Sequence, residues 1–263
     1  MRKSLKALAV FAGAAALVVS GTAVATASGD ITATCSGGLI TTRTYHHGLR
    51  ITGKCKVNAG SQVVVNGNLV VMAGATFDAQ TASRVTVNGD VVAGPGSLFG
   101  LGCTYAHPCD NGNPPWGGTT HDVVTGTVHL NQVFDAAING STIGGSIVSF
   151  GGGAGLLDPE EQFVPFSIKD DVVGGSISIT GLTTVWFGII RTHIGRSVTL
   201  TDINLSDPDG NEIVTNVISG NLSCTGLDPA PQVGDSEGAA NVVGKVASGQ
   251  CADLAGGGAA KAA

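Results

Sequence analysis

Val63 to Phe77 reads VVVNGNLVVMAGATF, and Val85 to Phe99 reads VTVNGDVVAGPGSLF, the same pattern displaced by 22 residues. Val63, Val65, Gly67, Leu69 and Phe77 fall on Val85, Val87, Gly89, Val91 and Phe99. The alternate positions drift, with Val64 becoming Thr86 and Asn68 becoming Asp90. One phase stays apolar or glycine while the other is free to be polar, which is the signature of a strand buried on one side. Repetition at this length predicts one coil of a solenoid.

The same mark recurs along the chain as a glycine, one variable residue and an aliphatic residue. It appears at Gly67-Asn68-Leu69, Gly89-Asp90-Val91, Gly126-Thr127-Val128, Gly145-Ser146-Ile147 and Gly175-Ser176-Ile177. It continues at Arg196-Ser197-Val198, where Arg replaces Gly, then at Gly220-Asn221-Leu222 and Gly244-Lys245-Val246. Successive steps are 22, 37, 19, 30, 21, 24 and 24 residues. The predicted fold is all-β, a single-stranded parallel β-helix of 19–24 residues per coil with almost no helix. The coil length favours a right-handed helix over the shorter hexapeptide period of left-handed ones. An immunoglobulin-like sandwich is the competing architecture, but it does not explain the echo. The two long steps are insertions, near 100–121 and 151–166, where a rigid scaffold commonly carries function.

The ends read differently. Arg2, Lys3 and Lys6 precede an apolar run from Ala7 to Val19 and small residues at Ala25-Thr26-Ala27. Residues 1–27 therefore read as a secretory signal peptide, and the mature chain is expected to be secreted, extracellular and not inserted in a membrane. Residues 28–54, weakly patterned, read as an N-terminal cap. The solenoid is expected over 55–251, and residues 252–263 read as a disordered tail.

Composition sharpens this picture in two ways. Without the leader, ten Lys+Arg face 19 Asp+Glu, so the chain is acidic and nucleic acid is excluded as a natural partner. Six cysteines, Cys35, Cys55, Cys103, Cys109, Cys224 and Cys251, form an even set that suits disulfides in an exported chain. Six cysteines permit 15 connectivities. Neighbours along a solenoid are neighbours in space, so the expected pairs are 35–55, 103–109 and 224–251.

Candidate chemistry is sparse. Asp170 and Asp171 form an acid pair beside a strand, and Arg191 and Arg196 lie one coil later. These four are the catalytic candidates for a glycoside hydrolase or polysaccharide lyase, with Trp116 or Trp186 as a sugar platform. The polygalacturonase signatures Asn-Thr-Asp, Gly-His-Gly and Arg-Ile-Lys and the pectate lyase Arg-x-Pro-x-x-Arg are absent. Surface charges at a coil corner are the simpler reading. Asp202, Asp207 and Asp209 are a calcium candidate, although Leu205 and Asn216 stand where an EF-hand loop needs ligands. Cys103, His107 and Cys109 lack zinc-site spacing. The remaining histidines, His46, His47, His121, His129 and His193, are scattered, and no cofactor is expected.

One feature is quieter. Ser178, Thr199 and Ser223 share an outward register position, and Thr180, Thr201 and Thr225 share another. Stacked, they predict two parallel ladders of hydroxyls. Exposed strands favour Thr for its β-propensity alone, yet the ladders also make a flat polar face for an extended polymer or ordered surface.

Thr44-Tyr45-His46, Trp186-Phe187-Gly188, Asp207-Pro208-Asp209-Gly210-Asn211-Glu212, Gln232-Val233-Gly234-Asp235-Ser236 and Gly249-Gln250-Cys251 complete the set of motifs. With Gly67-Asn68-Leu69, they make the chain resemble a family of secreted, uncharacterised actinobacterial proteins. That resemblance implies export and brings no catalytic residue. A looser similarity to bactofilin-type polymerising β-helices rests on the Gly-x-aliphatic register, from which this chain departs by its leader and cysteines. The expectation is a non-catalytic solenoid, monomeric, facing polysaccharide or the cell envelope. The alternative is a carbohydrate-active enzyme. End-to-end assembly would require open strand edges at the ends.

Overall fold

The structure is a computed structural model, and it describes residues 31–110, 118–234, 238–256 and 260–261. The segment expected to be a signal peptide, Trp116 and residues 257–259 and 262–263 of the expected tail lie outside the described residues. The chain winds into a β-solenoid whose strands stack into three parallel sheets of 12, 8 and 9 strands. We name these faces A, B and C in the order that each coil visits them. One coil runs Leu69–Val71 on face A, Thr76–Ala79 on face B and Arg84–Val87 on face C. The single helical turn described is Ala252–Leu254.

The echo that predicts the coil is also its register. Leu69 pairs with Val91, Phe77 with Phe99 and Val63 with Val85. Inward columns of aliphatic residues fill the interior, among them Leu49, Leu69, Val91, Val128, Ile147, Ile177, Val198 and Leu222 on face A, all 0% exposed. Phe77 and Phe99 stack with ring centroids 6.0 Å apart at 18°. Phe166 and Phe187 lie equally close but tilted at 56°. A strand this short can bury only one or two side chains, so each coil depends on the coils above and below.

Glycine at the corner between faces C and A is a matter of space. A Cβ on Gly89 would sit 2.6 Å from the Gly67 carbonyl oxygen, and one on Gly175 would sit 2.6 Å from that of Gly145. The variable residue beside it is not free either. Asn68 Oδ1 accepts the Asp90 N–H (2.9 Å), and Asp90 Oδ1 accepts the Thr127 N–H (2.8 Å). The relay continues from Thr127 to Ser146, Ser176, Ser197 and Asn221, each accepting from the next coil's backbone. A short side chain with an oxygen is required there because each such N–H would otherwise lack a partner.

The solenoid starts earlier than 55. Ala33–Cys35, Gly38–Ile40 and Arg43–Tyr45 pair in parallel with Leu49–Ile51, Lys54–Val57 and Gln62–Val65. Residues expected to cap the stack are thus its first coil. Gly38 and Arg43 stand at inward register positions and Leu39 faces outward, so no apolar phase shows in the sequence. At the other end, Leu254 is 7% exposed, and Ala255 bridges to Asn241. The first residues of the expected tail therefore close the stack. Ala260–Lys261 adds a further strand on Val246–Gly249.

Disulfides join Cys35 to Cys55, Cys103 to Cys109 and Cys224 to Cys251, the pairs expected from adjacency. The first and third tie neighbouring coils near the two ends, across 20 and 27 residues. Each such bridge contributes about 2–4 kcal/mol by restricting the unfolded chain.

Candidate functional site

The corner between faces B and C accounts for the acid pair. Its turn places one residue in the left-handed region, at His121 (φ 56°), Asp170 (60°), Arg191 (52°) and Thr215 (59°). The next residue points inward. Ser83, Asp122, Ser141, Asp171, Thr192, Asn216 and Asn241 form this inner column, every one 2% exposed or less. Left-handed backbone recurs here in residues of no common chemistry, so it belongs to the turn rather than to an active site.

The four catalytic candidates consequently part company. Asp170 and Arg191 face outward and pair with each other, Nε to Oδ1 at 2.6 Å and Nη2 to Oδ2 at 2.8 Å. Thr104 Oγ1 adds a longer bond to Asp170 Oδ2 (3.3 Å). Asp171 is 1% exposed, and its Oδ1 accepts the Ser141 N–H at 2.7 Å. Burial pushes the Asp171 carboxyl well above the usual carboxylate range, and the neighbouring Asp170 charge adds to the rise. Arg196 is exposed at the opposite end of the strand His193–Ile194, on the corner between faces C and A. Asp170 and Arg191 link two coils, Asp171 is an inner rung, and the four do not share a cleft.

Trp186 offers no free platform. It is 7% exposed and lies across Gly188, where a Cβ would meet the ring at 2.2 Å. Lys169 Nζ sits 4.3 Å from its centroid, and Phe163 of the second insertion packs at 6.4 Å. The calcium candidate also finds local employment. Asp207 Oδ1 accepts the Asp209 N–H (3.1 Å) in a tight turn, and Asp202 occupies a left-handed corner beside Gly226. Among the described residues, no three His, Cys, Asp or Glu side chains gather as metal ligands. His107 lies within the Cys103–Cys109 disulfide loop.

The hydroxyl ladders do come together. Ser178 pairs with Thr199 and Thr199 with Ser223 on face A, while Thr180 pairs with Thr201 and Thr201 with Thr225. Parallel strands set the rungs about 4.8 Å apart, and the two columns lie about 7 Å apart along the strands. The side chains alternate with buried Ile177, Ile179, Val198, Leu200, Leu222 and Cys224, which hold the face in register from within.

Two members of the face escape the sequence reading. Ser223 pairs with Ser248, which adds a rung. It is hidden because Leu222 pairs with Ala247 and not with Val246, so the last Gly-x-aliphatic mark is out of register by one residue. Below the ladders, Ile147–Phe150 places Val148 under Ser178 and Phe150 under Thr180. Phe150 is 62% exposed, an aromatic ring at the foot of a hydroxyl column. The equal offsets from Gly145 and Gly175 carry that alignment in the sequence.

The fold and this face define a β-solenoid with ladders of hydroxyls on one outer face. Comparison with protein-family models, with curated proteins and with solved structures finds no match.

Proposed function

We propose that this is an exported, non-catalytic β-solenoid that lays face A against an extended polysaccharide of the cell envelope or extracellular space. The observation that carries the reading is the register of Ser178, Thr199, Ser223 and Ser248 beside Thr180, Thr201 and Thr225. Hydroxyls both donate and accept, so a ladder of them suits the hydroxyls of a neutral sugar chain running along the solenoid axis. Phe150 supplies an apolar ring at one end, on which a pyranose can stack. The three disulfides fit an oxidising compartment and an extracellular address. The dispersal of Asp170, Asp171, Arg191 and Arg196 favours binding over turnover.

The test is sedimentation of the purified mature protein with insoluble polysaccharides, scored for both retention and soluble product. Retention without product is expected, reduced when Thr180, Thr201 and Thr225 are changed together to Val or when Phe150 becomes Ala. Released product would overturn the non-catalytic reading. Retention untouched by these changes would remove face A from it.

A further inference from the structure

Face B carries a second feature, on a different side of the coil and independent of the ladders. An open depression of about 170 Å³ is lined by Thr76, Asp78, Gln80, Leu98, Gly100 and Asp135, with the backbone of Phe77 and Phe99. Register explains it. One outward column reads Lys54, Thr76, Leu98, Asp135, and the next reads Lys56, Asp78, Gly100, Ala137. Gly100 and Ala137 supply almost no side chain, so the second column sinks between its neighbours. The space is room for about five waters, or for one small polar molecule.

Its charges are unequal. Asp78 is committed, since Oδ1 accepts the Gln80 N–H (3.0 Å) and Oδ2 pairs with Lys56 Nζ at 2.9 Å. Lys56 reaches Asp110 as well, at 2.6 Å. Asp135 has no such arrangement. Its neighbour in register is Leu98, and Lys54 stands three strands away in the same column. Its Oδ1 is buried without a hydrogen-bond partner among the described residues. Burial lifts its carboxyl to about 7, opposed only by the Ala136 N–H. A half-buried carboxylate with no cation and a single backbone donor is costly, and a positively charged donor reduces the cost.

We propose that this depression binds a primary ammonium group, held by the Asp135 carboxylate with Thr76 Oγ1 and the Gln80 side-chain oxygen as further acceptors. An ammonium has three donors and no acceptor, which matches three oxygens in a lining that holds no cationic side chain. A divalent metal is a poorer match, because only one uncommitted carboxylate is present. An anion is repelled. Leu98 gives the carbons of the ligand an apolar wall. Two sources carry this group, a de-N-acetylated amino sugar and an alkyl amine such as a lysine side chain.

The experiment is NMR titration of the ¹⁵N-labelled mature protein at pH 7.5 with glucosamine, N-acetylglucosamine and cadaverine. Saturable shifts at residues 76–80, 98–100 and 135 are expected with glucosamine, cadaverine or both, and none with N-acetylglucosamine. Glucosamine alone assigns the sugar source, and cadaverine alone assigns the alkyl amine. Asp135→Asn should weaken binding at least about tenfold, the loss of one charge-assisted contact. Thr76→Val should weaken it by a smaller factor, and Phe150→Ala on face A should leave it intact. A melting temperature in Asp135→Asn that is no lower than the parent's establishes that the loss is local. No shifts with either amine, equal response to N-acetylglucosamine, or an indifferent Asp135→Asn would each overturn the proposal.

Discussion

The solenoid carries two polar ladders built from the same few residue types, and they do opposite work. The inner column, from Ser83 to Asn241, is shut away from water at the corner between faces B and C. The outer columns, through Thr199 and Thr201, look out from face A. Inside, each polar atom must find a partner, because a buried group without one costs about 1–3 kcal/mol. Outside, water satisfies the hydroxyls, and they remain available to a ligand. Short polar side chains thus serve stability in the inner column and, on the reading proposed above, recognition in the outer ones, and burial decides which.

Within the inner column the fit varies. Asn216 is well served: its amide donates to the Ile189 carbonyl (2.7 Å), and its oxygen accepts the Thr192 N–H (2.9 Å). Asn241 repeats the pattern, donating to the Ile213 and Leu254 carbonyls at 2.7 and 3.0 Å. Asp122 and Asp171 occupy equivalent positions with acceptors alone, and Oδ2 of each is buried without a hydrogen-bond partner among the described residues. The largest effect should therefore come from breaking a satisfied rung. Asn216→Ala leaves Thr192 N–H without its acceptor and removes a donor from Ile189 C=O, so a loss of about 1–3 kcal/mol is expected. Denaturant midpoints of the variant and parent measure it, and a shift near zero would mean that the column is not structural.

The unsatisfied rungs predict an unusual pH dependence. Desolvation raises the Asp122 carboxyl from 3.8 to about 7, against the opposing Val85 N–H, Thr120 and Arg84. Between those values the folded chain keeps a proton that the unfolded chain has released, so stability falls as pH rises through this window. The contribution is full below about pH 4, shrinks by up to about 4 kcal/mol by pH 7 and then stays flat. Asp171 and Asp135 push in the same direction. The melting temperature should be higher at pH 5 than at pH 8. Asp122→Asn should remove its share of that slope and stabilise the protein at pH 8, where an amide can donate as Asn216 does. A melting temperature that climbs with pH across the window would refute the assignment.

These two ladders also mark where the sequence was readable. Alternation and the 22-residue echo led to the parallel coil, its register at Phe77 and Phe99, and the three disulfides. The outer Ser/Thr columns were visible because strand residues alternate with a fixed period. The inner column was not, since Ser, Asp, Thr and Asn look like ordinary turn residues until the turn geometry aims them inward. Asp170 and Asp171 show the consequence. Adjacent in sequence, they suggested a catalytic pair, but a left-handed residue followed by an inward one sends them to opposite sides of the wall. The first coil is hidden for a different reason: its inward positions include Gly38 and Arg43 while Leu39 faces outward, so the apolar phase is broken.

The smallest energetic effect belongs to the outer ladder, and it is the most informative about function. Thr201→Val keeps the shape and β-propensity of the side chain and removes only a solvated hydroxyl. Stability should stay within about 0.5 kcal/mol of the parent, as for most exposed substitutions. If the ladder exists to bind, the triple change at Thr180, Thr201 and Thr225 should leave the denaturation midpoint nearly fixed while polysaccharide retention falls. A large fall in stability would instead make the hydroxyls part of the scaffold, like the rungs inside. If both stability and retention are indifferent, the columns are simply what exposed parallel strands favour. The contrast between the inner and outer ladders then rests on the inner one alone.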